Sequence, residues 1–169
     1  MEKDWPIIMP RFQGITFDLA ATKQPVSAEE LRAAEALLGC TFPPDYRDFV
    51  LQFGAGEFRE LALAVPSPKA VAARTPDDRT RLREFWFWTA SPEVWTHEKA
   101  CGSIACFDGS SGDDVRFHPS NPQAMYILPH DHEYICRVTN FDDLISRFAE
   151  TYGTGRSKLT FIPDRISGA

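Results

Sequence analysis

Residues 27–56, SAEELRAAEALLGCTFPPDYRDFVLQFGAG, spell out two helices together with the signals that start and stop them. Ser27 supplies an oxygen for the free amides of a helix N-terminus, and Glu30, three residues on, has the spacing to reach back in a capping box. Leu31, Ala34, Leu37 and Leu38 then fall on one helical face and Gly39 offers the left-handed stop, which predicts a helix over Ala28–Leu38. Phe42-Pro43-Pro44-Asp45 opens a second helix, because a first turn has no use for the amide hydrogen that proline lacks. Tyr46, Phe49, Val50 and Phe53 form its apolar stripe and Gly54-Ala55-Gly56 its end. About five residues join the two helices, short enough for them to pack on one another as a hairpin.

Downstream the hydrophobic period shortens. Phe58–Val65 alternates loosely and reads as a strand before Pro66 and Pro68 interrupt it. Residues 69–84 place Arg74, Arg79, Arg81 and Arg83 beside Asp77 and Asp78 and read as a short helix or a solvated loop. Phe85-Trp86-Phe87-Trp88 is strongly β-prone, with Phe85 and Phe87 expected on one face and Trp86 and Trp88 on the other. After a helical turn over Pro92–Lys99, Ser103–Phe107 and Val115–Phe117 flank the loop Asp108–Asp114 as a hairpin. Met125–Leu128 and Tyr134–Val138 make a further strand pair through the turn Pro129–Glu133. Asn140 caps a closing helix over Phe141–Glu150, with Phe141, Leu144, Ile145 and Phe148 on one face. Helices first, then hairpins, then a helix is an α+β order, and it predicts an antiparallel sheet with an N-terminal helical hairpin and a C-terminal helix packed on it. The expected division is an arm over 1–26 with at most one short strand, a domain over 27–150, and a tail over 151–169 that packs along the domain with a last strand at Leu159–Ile162.

A chain of 169 residues, 43% hydrophobic and 25% charged, has the composition of one globular domain, which excludes disorder, collagen and coiled coil. Thirteen prolines and thirteen phenylalanines point to short elements around an aromatic core. The net charge of −6 opposes non-specific attraction to nucleic acid or anionic lipid and favours a basic or neutral partner. No apolar run approaches the roughly 20 residues that span a bilayer, and Met1-Glu-Lys-Asp-Trp-Pro6 lacks the layout of a signal peptide, so a cytoplasmic location is expected. Cys40, Cys101, Cys106 and Cys136 are then expected as reduced thiols.

Several groups of residues have the right chemical types for a site. His97, Cys101 and Cys106, completed by Cys136 or His118, offer zinc ligands, but without any tight ligand pair, and buried thiols are the plainer reading. Cys101 with His97 or His132 is a nucleophile and base only if they meet, and no hydrolase motif accompanies them. Asp108–Asp114 carries too many carboxylates for a phosphate cradle, and Asp108, Ser110 and Gly112 miss the spacing of a calcium loop. It reads as a hairpin turn that doubles as an acidic contact patch. His130, Asp131, His132 and Glu133 form a polar turn that is open to a metal-dependent hydrolase reading. Trp86, Trp88 and Trp95 read as core, or, where a face is exposed, as the best partner-binding candidates, since tryptophan is enriched at interface centres.

Glu35, Leu38-Gly39, Phe42-Pro43, Asp45-Tyr46, Phe49 and Gly56 follow a pattern, Glu-x-x-Leu-Gly, Leu-Pro, Asp-Tyr-x-x-Phe and a glycine turn, that resembles the SUKH superfamily and specifically its Smi/Knr-type group. Ile104–Asp114, Tyr126–Glu133 and Asn140–Leu144 resemble its later strands, its Asp-His-Glu turn and its closing helix. Phe42 stands where leucine is usual, Gly54-Ala55 where Asn-Gly is common, and Asn140 where serine is usual. The resemblance implies an α+β domain without enzymatic activity or cofactor, in which Glu35, Gly39, Pro43, Asp45, Tyr46, Phe49 and Gly56 are structural. It also implies a protein partner: bacterial members are commonly immunity proteins that neutralise a toxin domain, often of nuclease type, and fungal members are regulatory scaffolds. On either reading Trp86, Trp88, Asp108, Asp113, Asp114, Asp131 and Glu133 are the expected partner-binding residues, with neither nucleic acid nor membrane as partner. The sequence leaves the oligomeric state open.

Overall fold

A computed structural model describes Phe12, residues 15–17, 25–153 and 159–164. The rest of the arm and of the tail lies outside the described residues. Helix α1 (Ala28–Leu38) is capped by Ser27, whose hydroxyl accepts from the Glu30 amide at 3.0 Å. Gly39, at φ 69°, closes it: the amides of Gly39 and Cys40 return to the carbonyls of Ala36 and Glu35 in the Schellman pattern. Helix α2 (Pro44–Phe53) follows as expected and buries Tyr46, Phe49, Val50 and Phe53. Leu31 and Ala34 are buried on α1, whereas Leu37, expected on the same face, is exposed. The two helices touch where the Glu35 carboxylate accepts from the Phe42 amide at 2.9 Å and meets the Arg47 guanidinium at 3.1 Å. The helix that runs closest along α1 is α3 (Pro68–Glu84), a 17-residue helix where the sequence left a short helix or a loop.

Among the described residues the sheet has eight strands: β1 (Thr16–Phe17), β2 (Gly56–Phe58), β3 (Leu63–Val65), β4 (Ile104–Gly109), β5 (Asp114–His118), β6 (Asn121–Leu128), β7 (Cys136–Val138) and β8 (Thr160–Pro163). Their order is β1-β8-β2-β3-β4-β5-β6-β7, antiparallel at every pair except the parallel edge pair β1/β8. The single strand expected over Phe58–Val65 is instead two short ones. A 3-10 turn over Arg59–Leu61 and a left-handed Ala62, φ 48°, fold β2 back on β3. Phe85–Trp88 is also not a strand; it leaves α3 as an irregular segment running toward α4 (His97–Cys101). Helix α5 (Phe141–Tyr152) is capped by Asn140, whose side chain accepts from the Asp143 amide at 2.9 Å.

Alternation along β5 and β6 separates two cores. Val115, Phe117, Met125 and Ile127 join the larger one, built around Phe49 of α2 and Phe141 of α5, which stack with ring centres 5.4 Å apart. Phe12, Phe53, Phe58 and Phe161 pack around the same Phe49 ring. The opposite face carries Arg116, Tyr126 and Leu128. There Trp95 stacks on Tyr126 at 4.5 Å, while Trp88, Leu82, Ala100 and Ile135 surround Leu128 in a second cluster. The irregular segment 85–95 and α4 thus complete the second face of the sheet.

Candidate partner-binding surface

Three hydrogen bonds fasten the segment after α3 to the turn between β6 and β7. The Trp88 indole donates to the Pro129 carbonyl at 2.7 Å, the Thr89 hydroxyl to Glu133 at 3.1 Å, and the Ile135 amide to the Ser91 hydroxyl at 3.2 Å. Trp88 is buried and serves as the anchor. Trp86 is half-buried, edge-on to Trp88 at 5.2 Å and stacked on the His97 ring at 4.8 Å. Phe87 is half-buried and packs on Trp88 at 4.3 Å. Phe85 stands 64% exposed, and Tyr134, on the adjoining turn, 65%. Trp88 and Thr89 thus fasten the aromatic segment to the turn that exposes Asp131 and Glu133. Of the expected partner-binding residues, Trp86 and Trp88 are in ring contact, and Trp88 and Thr89 join them to the turn carrying Asp131 and Glu133. The exposed Phe85 and Tyr134 lie next to these elements in the chain, Tyr134 lining a cavity with Arg147, Glu150 and Thr151 of α5.

The acidic hairpin loop lies at the same end of the sheet, because Asp113 accepts from both the His130 amide, at 2.9 Å, and the His130 ring, at 2.6 Å. That hydrogen bond raises the His130 pKa above the ordinary histidine value. The other loop carboxylates turn inward. Asp108 pairs with Arg74, and Asp114 with Arg81 at 2.5 Å and Arg116 at 3.2 Å. Arg116 is fully buried, donates to the Ser103 hydroxyl at 2.8 Å and lies 4.0 Å from Asp78. Burial pushes the Asp78 carboxyl above the usual carboxylate range, against the pull of Arg116 and Arg74. Arg74, Asp78 and Arg81 are spaced four and three apart on α3, so one helical face delivers all three to β4 and β5; that spacing was legible in the sequence.

The residues of the motif pattern are engaged inside the fold. Asp45 accepts from the Phe141 amide at 2.7 Å, joining the N-termini of α2 and α5 across 96 residues of chain. The Tyr46 hydroxyl donates to the Pro66 carbonyl at 2.6 Å, and burial raises its pKa well above the tyrosine value. Pro43 precedes α2 and Phe49 is the aromatic hub. A Cβ at Gly56 would meet the Ile162 carbonyl oxygen at 2.2 Å, so this glycine permits β2 and β8 to pair.

The residues considered for metal and nucleophilic chemistry are dispersed. Among the described residues no group of three or more His, Cys, Asp and Glu is gathered to hold a metal ion. His97 Nε2 lies 2.7 Å from the Leu82 carbonyl, and His118 Nδ1 lies 2.7 Å from the Ser120 hydroxyl. Cys106 is fully buried, and that burial drives its pKa far above the ordinary thiol value. The four cysteines are free thiols. None of the described helices is long and apolar enough to cross a membrane.

No curated protein matches the chain. The model of the SMI1 / KNR4 family (SUKH-1) matches residues 25–147, from the cap of α1 into α5. That span holds both cores' central strands, the Asp45 link and the aromatic segment, and on this match the chain belongs to the SMI1 / KNR4 (SUKH-1) family.

Proposed function

We propose that this protein is a non-enzymatic binding domain and, specifically, an immunity protein that holds a toxin domain of nuclease type and neutralises it in the cytoplasm. The observation that carries the reading is the aromatic segment Phe85–Trp88, fastened by the Trp88 indole to the Pro129 carbonyl. Phe85 is 64% exposed and Trp86 and Phe87 are half-buried on that anchor, and exposed apolar patches mark interaction sites. Rigid aromatic anchors also lose little conformational entropy on binding. His97, His118 and His130 each have a hydrogen-bond partner within the fold, and Cys106 is buried in the core. The net charge of −6 supports a basic partner, since opposite charge speeds encounter.

The test is co-expression with a candidate toxin domain encoded beside this gene. Co-purification together with restored growth is the expected result. Persistent growth arrest without co-purification overturns the immunity reading and leaves a scaffold for a cellular protein.

A further inference from the structure

We infer that Arg79, Lys99 and His118, gathered around Gly102, form an anion site that takes a phosphate group, free or carried as a monoester. Three elements build it, none of them part of the aromatic segment. Gly102 follows α4, and its carbonyl and that of Ser103 accept from the Arg79 guanidinium of α3 at 2.7 and 3.2 Å. The His118 ring, at the end of β5, comes so close to Gly102 that a Cβ there would stand 2.9 Å from Nε2, an approach that the missing side chain permits. Lys99, in α4, accepts the Gly102 amide on its carbonyl at 3.1 Å. The Ser120 amide donates to His118 Nδ1 at 3.2 Å, which leaves the proton of the neutral ring on Nε2. Among the described residues His118 Nε2 and Lys99 Nζ have no hydrogen-bond partner, and Arg79 has no carboxylate.

The charges agree with the geometry. Burial, and then the like charges of Lys99 and Arg79, hold the His118 ring below the ordinary histidine value, and no carboxylate acts against them. The pairing of Ile104 with Phe117 puts Ser103 and His118 at the end of β4 and β5 remote from the acidic loop. Of the carboxylates on the elements around the site, Asp78 lies on Arg74 and Arg116, Asp114 on Arg81 and Arg116, and Glu35 on Arg47. Asp77, Glu84 and Glu98 are exposed, and none of them acts on the His118 ring. A chain of net charge −6 thus keeps two uncompensated cations beside a ring N–H. Two fixed positive charges and a third donor match a phosphate dianion, whose separate oxygens each meet one donor, better than a carboxylate with one charge and two oxygens.

The experiment is an NMR titration of the full chain with sodium phosphate, O-phosphoserine and sodium acetate at constant ionic strength. The His118 ring and the amides of 99–103, His118 and Ser120 report the site. Saturable shifts centred there, with phosphate binding at least about fivefold more tightly than acetate, are expected from the second charge. The His118 titration midpoint should also move up in phosphate, because a bound anion favours the charged ring. Lys99→Glu, at an exposed position, should weaken phosphate by about tenfold or more, whereas Lys69→Glu, on the first turn of α3, should leave it within about twofold. Both variants keep the amide spectrum of the folded chain. Tighter binding of phosphoserine than of phosphate supports the site and assigns a monoester as its ligand, and equal or weaker binding supports it with the free anion. Acetate binding as tightly as phosphate, shifts scattered over the surface, an unmoved His118 midpoint, or an equal response to the two lysine variants overturns the inference.

Discussion

Gly56 and Asp45 show how single positions hold distant parts of the chain together. The Gly56→Ala variant must push the β8 backbone away from Ile162, and a loss of about 1–3 kcal/mol is expected from such overpacking, read by chemical denaturation. Asp45→Ala strips the cap from the Phe141 amide at the start of α5 and should cost about 1–2 kcal/mol on the same assay. Both positions were visible as motif residues, and Asp45 reads from sequence as a local helix-start residue. Its 2.7 Å bond to a residue near the other end of the domain was not legible, because no local pattern encodes a contact made across 96 residues.

At the scale of elements, α1, α2 and α5 were readable because each has a start signal and an apolar stripe of helical period, and the two hairpins because apolar strands flank polar turns. Helix α3 was not. Its buried residues are few, Pro68, Val71, Thr75 and Leu82, Pro76 interrupts its interior, and much of what it contributes to the fold is charge carried to β4 and β5. Phe85–Trp88 misled in the opposite sense: its β propensity is overridden because Trp88 finds its partner at Pro129, outside any ladder. The α3 network predicts that Arg116→Met, which leaves Asp114 and Asp78 without their buried counter-charge, destabilises by about 3–5 kcal/mol. Adding Asp114→Asn should return part of the loss, both read from denaturation midpoints. The two turns at the surface end are joined by His130 and Asp113. A histidine whose pKa is raised on folding stabilises fully below its unfolded value, and the contribution fades as the pH climbs through the folded one. Thermal melts should therefore show Asp113→Asn falling further below the parent protein at about pH 5.5 than at about pH 8.5.

At the scale of the whole molecule, the sheet has one face committed to the large phenylalanine core and the other finished by an irregular aromatic segment. That second, less regular face carries the exposed Phe85 and the half-buried Trp86 and Phe87. Trp86 and Trp88 were legible as interface candidates from their type, but the division of labour between a buried anchor and exposed neighbours depends on the turn at 129–135, which only the fold brings near. The acidic loop was legible as charge and not as paired charge, since Arg74 and Arg81 reach it from α3, whose sequence read equally as a short helix or a loop, and Arg116 from inside β5. On the proposed function, the end of the molecule at Trp86 and the 129–135 turn binds and silences a protein. Calorimetric titration of the purified chain with a candidate toxin domain encoded beside its gene is the decisive measurement. A saturating one-to-one complex with Kd near or below about 10 nM is expected, weakened about tenfold or more by Trp86→Ala, as for a residue at the centre of a standard interface. Absence of binding at micromolar concentrations, or a complex indifferent to Trp86, Phe85 and Glu133 alike, would contradict it.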